Sequence, residues 1–203
     1  MTKQERLIDL LERILKDASL PLQESNLVFG EGNVDCDIMF IGEAPGEREN
    51  ELKRPFVGRA GKLLDVLIEG IGWKREDVYI TNIVKRRPPM NRDPLPEEIE
   101  RYKPYLKEQI TIISPRVIAP LGRFSMNYFL PSGKISRDQG KVFRIKDKFI
   151  VPLFHPAAAL RSPSMKEALQ KSFKNLPAIV RKHKSMPTSG FFGKADPEQE
   201  KLL

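Results

Sequence analysis

Apolar residues fall into two rhythms in this sequence, one helical and one of short buried runs. Between residues 2 and 17, Leu7, Ile8, Leu10, Leu11, Ile14 and Leu15 recur at the spacing of one helix face. Pro21 follows, then a polar stretch through Gly30, Glu31, Gly32 and Asn33 that reads as loop. Residues 37–41 are short and apolar and stop at Gly42, the pattern of a buried strand opening into a loop. That loop, 43–54, is rich in charge, Gly and Pro. Helical period returns over 59–71 in Ala60, Leu63, Leu64, Leu67 and Ile68. Val78, Tyr79 and Ile80 predict a second buried strand, ending at Thr81 and Asn82. Segment 85–96 carries Pro88, Pro89, Pro94 and Pro96 and is expected to be irregular. Pro96 opens a helix running to about Ile113, with Glu97 and Glu98 in its first turn. A third strand is expected over 117–121 and a short helix over 122–130. Residues 142–145 and 149–154 form a hairpin candidate turning at Lys146, Asp147 and Lys148, its second arm leading to His155. A last helix spans 164–182. From about Lys184 the period stops, which predicts a flexible tail over 184–203 behind a single domain, 1–183.

Strand and helix alternate, so the expected fold class is α/β: a three-layer α/β/α sandwich around a mostly parallel four-stranded sheet. The 203 residues bury a core without staples. Thirty-five Lys and Arg against twenty-seven Asp and Glu give a net charge of +8. The tail is neutral, so the excess sits on the folded body and suits a polyanionic partner. The single cysteine, Cys36, excludes an internal disulfide framework and any multi-cysteine metal site from this chain alone. With only His155 and His183, a histidine-rich zinc site is not expected either. No apolar run reaches transmembrane length and no signal-peptide core follows Met1. The expected location is cytoplasmic, nucleoid-associated if the host is prokaryotic.

Ligands of an open parallel sheet bind beyond the carboxyl ends of its strands. There the sequence offers Gly42 to Glu49 after the first strand, Thr81 and Asn82 after the second, Gly122 and Arg123 after the third, and His155 and Pro156 after the last. An acid, an amide and an imidazole thus converge on one edge. Each alone has an ordinary reading, as turn residue, structural histidine or solvated charge. Together, the ordered set Gly42-Glu43-Ala44-Pro45-Gly46, Arg54-Pro55-Phe56-Val57-Gly58, Tyr79-Ile80-Thr81-Asn82-Ile83-Val84-Lys85, Arg87-Pro88-Pro89 with Asn91-Arg92, and His155-Pro156 resembles the family 4 uracil-DNA glycosylases. The resemblance covers about residues 26 to 175.

It implies a DNA-repair enzyme that flips deoxyuridine and hydrolyses its glycosidic bond, releasing uracil and leaving an abasic site. In that reading Phe56 stacks on the base beside Gly42 and Ala44. Asn82 donates to O4 and accepts from N3–H, a pattern cytosine reverses. His155 donates to O2, where negative charge collects as the bond breaks. Ala44 stands where other branches of the superfamily place an aspartate, so the water falls to Glu43, Glu49 or Asn91. The resemblance favours Glu43 for it, makes Glu49 the guard against a thymine methyl, and lets Asn91 orient water. Catalytic candidates are therefore Glu43, His155 and Asn91, and the uracil pocket is Gly42, Ala44, Glu49, Phe56 and Asn82. Phosphates are expected at Arg59, Lys85, Arg86 and Arg87, with Lys53, Arg54 and Arg92 nearby. Leu160 is expected to wedge into the gap left by the flipped nucleotide, with Arg161 on the backbone.

Relatives in this family generally carry a four-cysteine 4Fe–4S cluster. Here residues 15–23 contain no cysteine, Arg86 replaces a third ligand, Tyr102 is nearest the fourth, and Cys36 matches none. No cluster or other cofactor and no metal is expected, with Leu20, Leu22 and Tyr102 filling the space. Alternatives to the uracil enzyme are a member with shifted base range and a catalytically silent DNA-binding member. The end of the tail, Gln199 to Leu203, loosely resembles a sliding-clamp peptide, with Phe191 and Phe192 as a second anchor; otherwise the protein is expected to be monomeric.

Overall fold

A computed structural model describes residues 1–185; the tail expectations, clamp peptide included, lie outside the described residues. The chain runs α1 (Lys3–Lys16), β1 (Glu31–Gly32), β2 (Ile38–Gly42), α2 (Glu47–Leu52), α3 (Arg59–Glu69), β3 (Tyr79–Asn82), α4 (Pro96–Ile113) and β4 (Val117–Pro120). It continues through α5 (Arg123–Phe129), α6 (Ile135–Asp138), β5 (Phe143–Ile145), β6 (Lys148–Ile150), α7 (Pro156–Ala159) and α8 (Pro163–Lys184). The sheet order is β1-β3-β2-β4-β6-β5. The four central strands are parallel and the two edge strands antiparallel.

Side chains of the central strands alternate between two cores, which is why β2 is buried at every position. Met39, Ile41, Tyr79 and Ile118 face one layer, packed with Leu7, Leu10 and Ile14 of α1, Leu106 and Ile110 of α4 and Phe129 of α5. Ile38, Phe40, Ile80 and Val117 face the other, packed with Leu64 and Ile68 of α3 and Phe173 and Leu176 of α8. Phe40 stacks on Phe173 with ring centroids 5.5 Å apart. The three-layer sandwich is therefore the one expected. Capping chemistry sets where α1 begins: Thr2 and Glu5 exchange hydrogen bonds at 3.2 and 2.8 Å at its head. No described helix is long and apolar enough to cross a membrane.

Some details differ from the sequence expectation. Among the described residues the sheet has six strands rather than four. Glu31 and Gly32, read as loop, pair with β3. A side chain at Gly32 would put its Cβ 2.0 Å from the Val78 carbonyl, so this edge needs a residue of low strand propensity. The hairpin's first arm forms β5. Glu47–Leu52, read as loop, is a short helix, and Pro89–Asn91, read as irregular, is a 3₁₀ turn.

Candidate active site

All four parallel strands end on one side, and the segments that follow β2, β3 and β6 line a cleft of about 420 Å³. Its walls include Glu43, Ala44, Glu49, Phe56, Asn82, Asn91, Asp93, His155 and Arg161. A larger groove of about 750 Å³ along α1 contains none of Glu43, Asn82 and His155.

Phe56 and Asn82 meet over Gly42. Any Cβ on Gly42 would lie 2.4 Å from Asn82 Oδ1 and 2.6 Å from the Phe56 ring, so only glycine admits both. Phe56 itself is buried at φ 50°, a left-handed conformation that a bulky residue adopts only when its surroundings enforce it. They do so here. The Glu49 carboxylate accepts the amides of Val57 and Gly58 at 2.9 and 2.7 Å, and the Arg75 guanidinium donates to the Pro55 carbonyl at 2.5 Å. The Phe56 ring stands 5.6 Å from the His155 ring at 33°.

Asn82 closes β3, is 1% exposed, and its buried Oδ1 has no hydrogen-bond partner among the described residues. A buried polar atom left unpaired costs about 1–3 kcal/mol, and of the four such atoms among the described residues only that of Asn82 lines the cleft, where a bound ligand could supply the missing partner. His155 caps α7, its Nδ1 accepting from the Ala157 amide at 3.1 Å. Burial pushes its pKa down to about 4, with the Glu49 charge opposing weakly. The imidazole is therefore neutral near pH 7, and because Nδ1 accepts, Nε2 carries the proton. Burial, reinforced by the charge of Asp93, pushes the Glu43 carboxyl up to about 7, while Arg123 pulls the other way. Asp93 is tied to Arg123 at 2.7 Å. Sequence reasoning missed Asp93; its position two residues past Asn91 in the proline-rich loop was the available signal.

Two of the expected DNA contacts are corrected by burial. Lys85 is wholly buried beneath the end of β3, donating at 2.6 Å to both Thr81 Oγ1 and Gln109 Oε1. Burial lowers its pKa well below the usual lysine range, and the amine, enclosed and hydrogen-bonded inside the protein, is out of reach of a phosphate. Arg86 is 6% exposed, donates to the Ser25 carbonyl, and borders the α1 groove rather than the cleft. Arg54 is paired with Glu31 and Arg92 with Glu98, each through two hydrogen bonds. Arg87 is half-buried, its Nε donating to Asn91 Oδ1 at 2.7 Å. That bond occupies the Asn91 oxygen and leaves its NH2 for a ligand. Glu49, expected to exclude a methyl group, lines the cleft but spends one oxygen holding the Phe56 loop. Arg59 and Leu160 are exposed, and Arg161 lines the cleft.

The residues at the expected cluster positions do not fit a thiolate-held metal group. Leu20, Leu22 and Tyr102 are buried in one core, with the Tyr102 hydroxyl donating to Pro21 O at 2.8 Å. Cys36 is a single buried thiol, pushed up to about 12 by that burial.

Comparison with known proteins bears on this geometry. The family model for the uracil DNA glycosylase superfamily matches residues 29–177. A type-4 uracil-DNA glycosylase of Archaeoglobus fulgidus is 41% identical over 189 residues, covering 88% of this chain and 95% of that protein. The type-4 enzyme of Sulfurisphaera tokodaii is 42% identical over 202 residues, 92% of each chain. That of Thermotoga maritima is 44% identical over 168 residues, 80% of this chain and 88% of its own. With the cleft residues inside the matched interval, the chain belongs to the uracil DNA glycosylase superfamily, and within it to the type-4 family.

Proposed function

We propose that this protein is a monofunctional uracil-DNA glycosylase acting on a deoxyuridine flipped from DNA into the cleft. The observation that carries the reading is the buried Asn82 Oδ1, without a partner among the described residues, in a cleft with an aromatic face and a neutral imidazole. Uracil supplies what this constellation lacks. Its N3–H gives Asn82 Oδ1 a donor, its O4 takes the Asn82 NH2, and its ring lies against Phe56. Cytosine has an unprotonated N3 and an amino group at those positions, so it leaves buried groups unpaired at about 1–3 kcal/mol each.

As the bond between C1′ and N1 breaks, its electron pair leaves with the base and spreads onto O2. A proton on His155 Nε2, fixed by the Ala157 amide at the other nitrogen, stabilises that charge without being transferred. The sugar becomes an oxocarbenium ion. Glu43, once ionised, faces it with negative charge and takes a proton from the water whose oxygen joins C1′. The products are an abasic site and the uracil anion, which takes a proton at N1 from solvent as it leaves, while Glu43 returns the water's proton to solvent. Among the described residues no lysine lines the cleft, so the site offers no lysine amine for a covalent sugar intermediate.

The same reading includes no iron–sulfur cluster, which is supported by the buried Leu20, Leu22, Tyr102 and Arg86, none of which offers a thiolate. Purified protein with stoichiometric iron and visible charge-transfer absorbance would overturn that part. The activity itself is tested by incubating the protein with uracil-bearing single-stranded and duplex oligonucleotides and assaying free uracil and alkali-labile sites. A folded chain that releases no base refutes it.

A further inference from the structure

The proline-rich loop carries a side chain that the mechanism above does not use. Met90 is 91% exposed, more than any other large hydrophobic residue described. A single exposed apolar residue is ordinary; its backbone here is not. Met90 lies at φ 54°, ψ 22°, and Asn91 follows at φ 54°. Two successive non-glycine residues in the left-handed region make a strained turn, and Met has no short polar group to compensate.

The turn is nevertheless firmly held. Arg87 Nε donates to Asn91 Oδ1 at 2.7 Å, and the Asn91 amide donates to Pro88 O at 3.1 Å. Arg92 grips the buried Glu98 carboxylate at 2.9 and 2.6 Å. The protein thus holds an apolar, unbranched side chain out into water on a braced and strained loop. Its place in the fold gives that a use. Pro88, Asn91, Arg92 and Asp93, on either side of Met90, line the cleft. So do Ala157 and Arg161, on either side of Leu160, which is 41% exposed.

We propose that Met90 is a second wedge, entering the duplex from the proline-loop rim of the cleft while Leu160 enters from the α7 rim. The inference rests on the reading that the cleft takes a flipped nucleotide. Extruding one leaves a gap and unpaired, unstacked neighbours, and apolar side chains stabilise such a kinked step. The flexible, polarisable thioether suits contact with base faces of any sequence.

The experiment compares Met90→Gly, Met90→Ala and the wild type on uracil in a single strand and in a U:A duplex, with thermal melting alongside. A single strand has no pair to break, so both variants should keep kcat/KM within about twofold there while losing roughly tenfold or more on the duplex. Gly relieves the positive φ, so Met90→Gly should melt at or above the wild type. A duplex-to-single-strand ratio unchanged in either variant overturns the wedge. That includes the case in which Ala loses activity and Gly keeps it, which would trace the effect to backbone strain. A wild type that releases no uracil from either substrate refutes the proposed function instead.

Discussion

Gly42→Ala tests the pocket geometry most directly, because the added methyl group enters a space the structure defines. Its Cβ would fall 2.4 Å from Asn82 Oδ1 and 2.6 Å from the Phe56 ring, where relaxed contacts are about 3.5 Å. One of the two must retreat by roughly 1 Å. Phe56 has little room, since its loop is fastened by Glu49 and Arg75 and the residue is 5% exposed. Asn82 is 1% exposed at the end of a central strand. Overpacking of this kind costs about 1–3 kcal/mol of stability, which a folded domain survives. The functional cost is larger in proportion, since a displacement near 1 Å in a reacting site is worth on the order of 10²-fold in rate. The assay is kcat/KM on a single-stranded uracil oligonucleotide at a temperature well below the variant's melting point. Gly70→Ala serves as the control, its Cβ being 3.1 Å from the Val66 carbonyl and outside the cleft. Wild-type kcat/KM in Gly42→Ala would mean that Asn82 and Phe56 do not jointly hold the base.

Further expectations follow from the same groups. Asn82→Asp replaces a donor by an acceptor, so it should release cytosine from single-stranded DNA where the wild type does not; an unchanged base preference would contradict edge reading by Asn82. Because burial raises Glu43 to about 7, kcat/KM should climb with pH through that value as the carboxylate forms, and Glu43→Gln should flatten the climb. His155, lowered from 6.5 to about 4, binds its proton more weakly folded than unfolded, so its contribution to stability is complete above about 6.5 and fades as pH falls toward 4. Urea titrations should therefore show the wild type losing stability relative to His155→Asn as pH falls across that window. Arg161→Ala should lower the salt slope of DNA affinity by about 0.7–0.9, while Lys85→Met leaves the slope unchanged, because an amine sealed inside the protein touches no phosphate.

The layered α/β fold was legible in the amino-acid order alone. Apolar runs such as 38–41 and the helical periods around Leu10 and Leu64 record which faces must be buried. The same order put Glu43, Asn82 and His155 at or just beyond strand ends, and a parallel sheet necessarily gathers strand ends on one side. The fate of the basic residues was not legible in the same way. Nothing local distinguishes Lys85, sealed under β3 against Gln109, from Arg161 on the cleft wall, because Gln109 is brought there by α4 from twenty-four residues away. It took the folded arrangement to settle that Glu49 fastens the Phe56 loop, that Asp93 shares the cleft with Glu43, and that Gly32 pairs at the sheet edge. Each of these depends on which distant segment supplies the partner or removes the water, and burial of a charge is set by that neighbour rather than by the residue's own place in the chain.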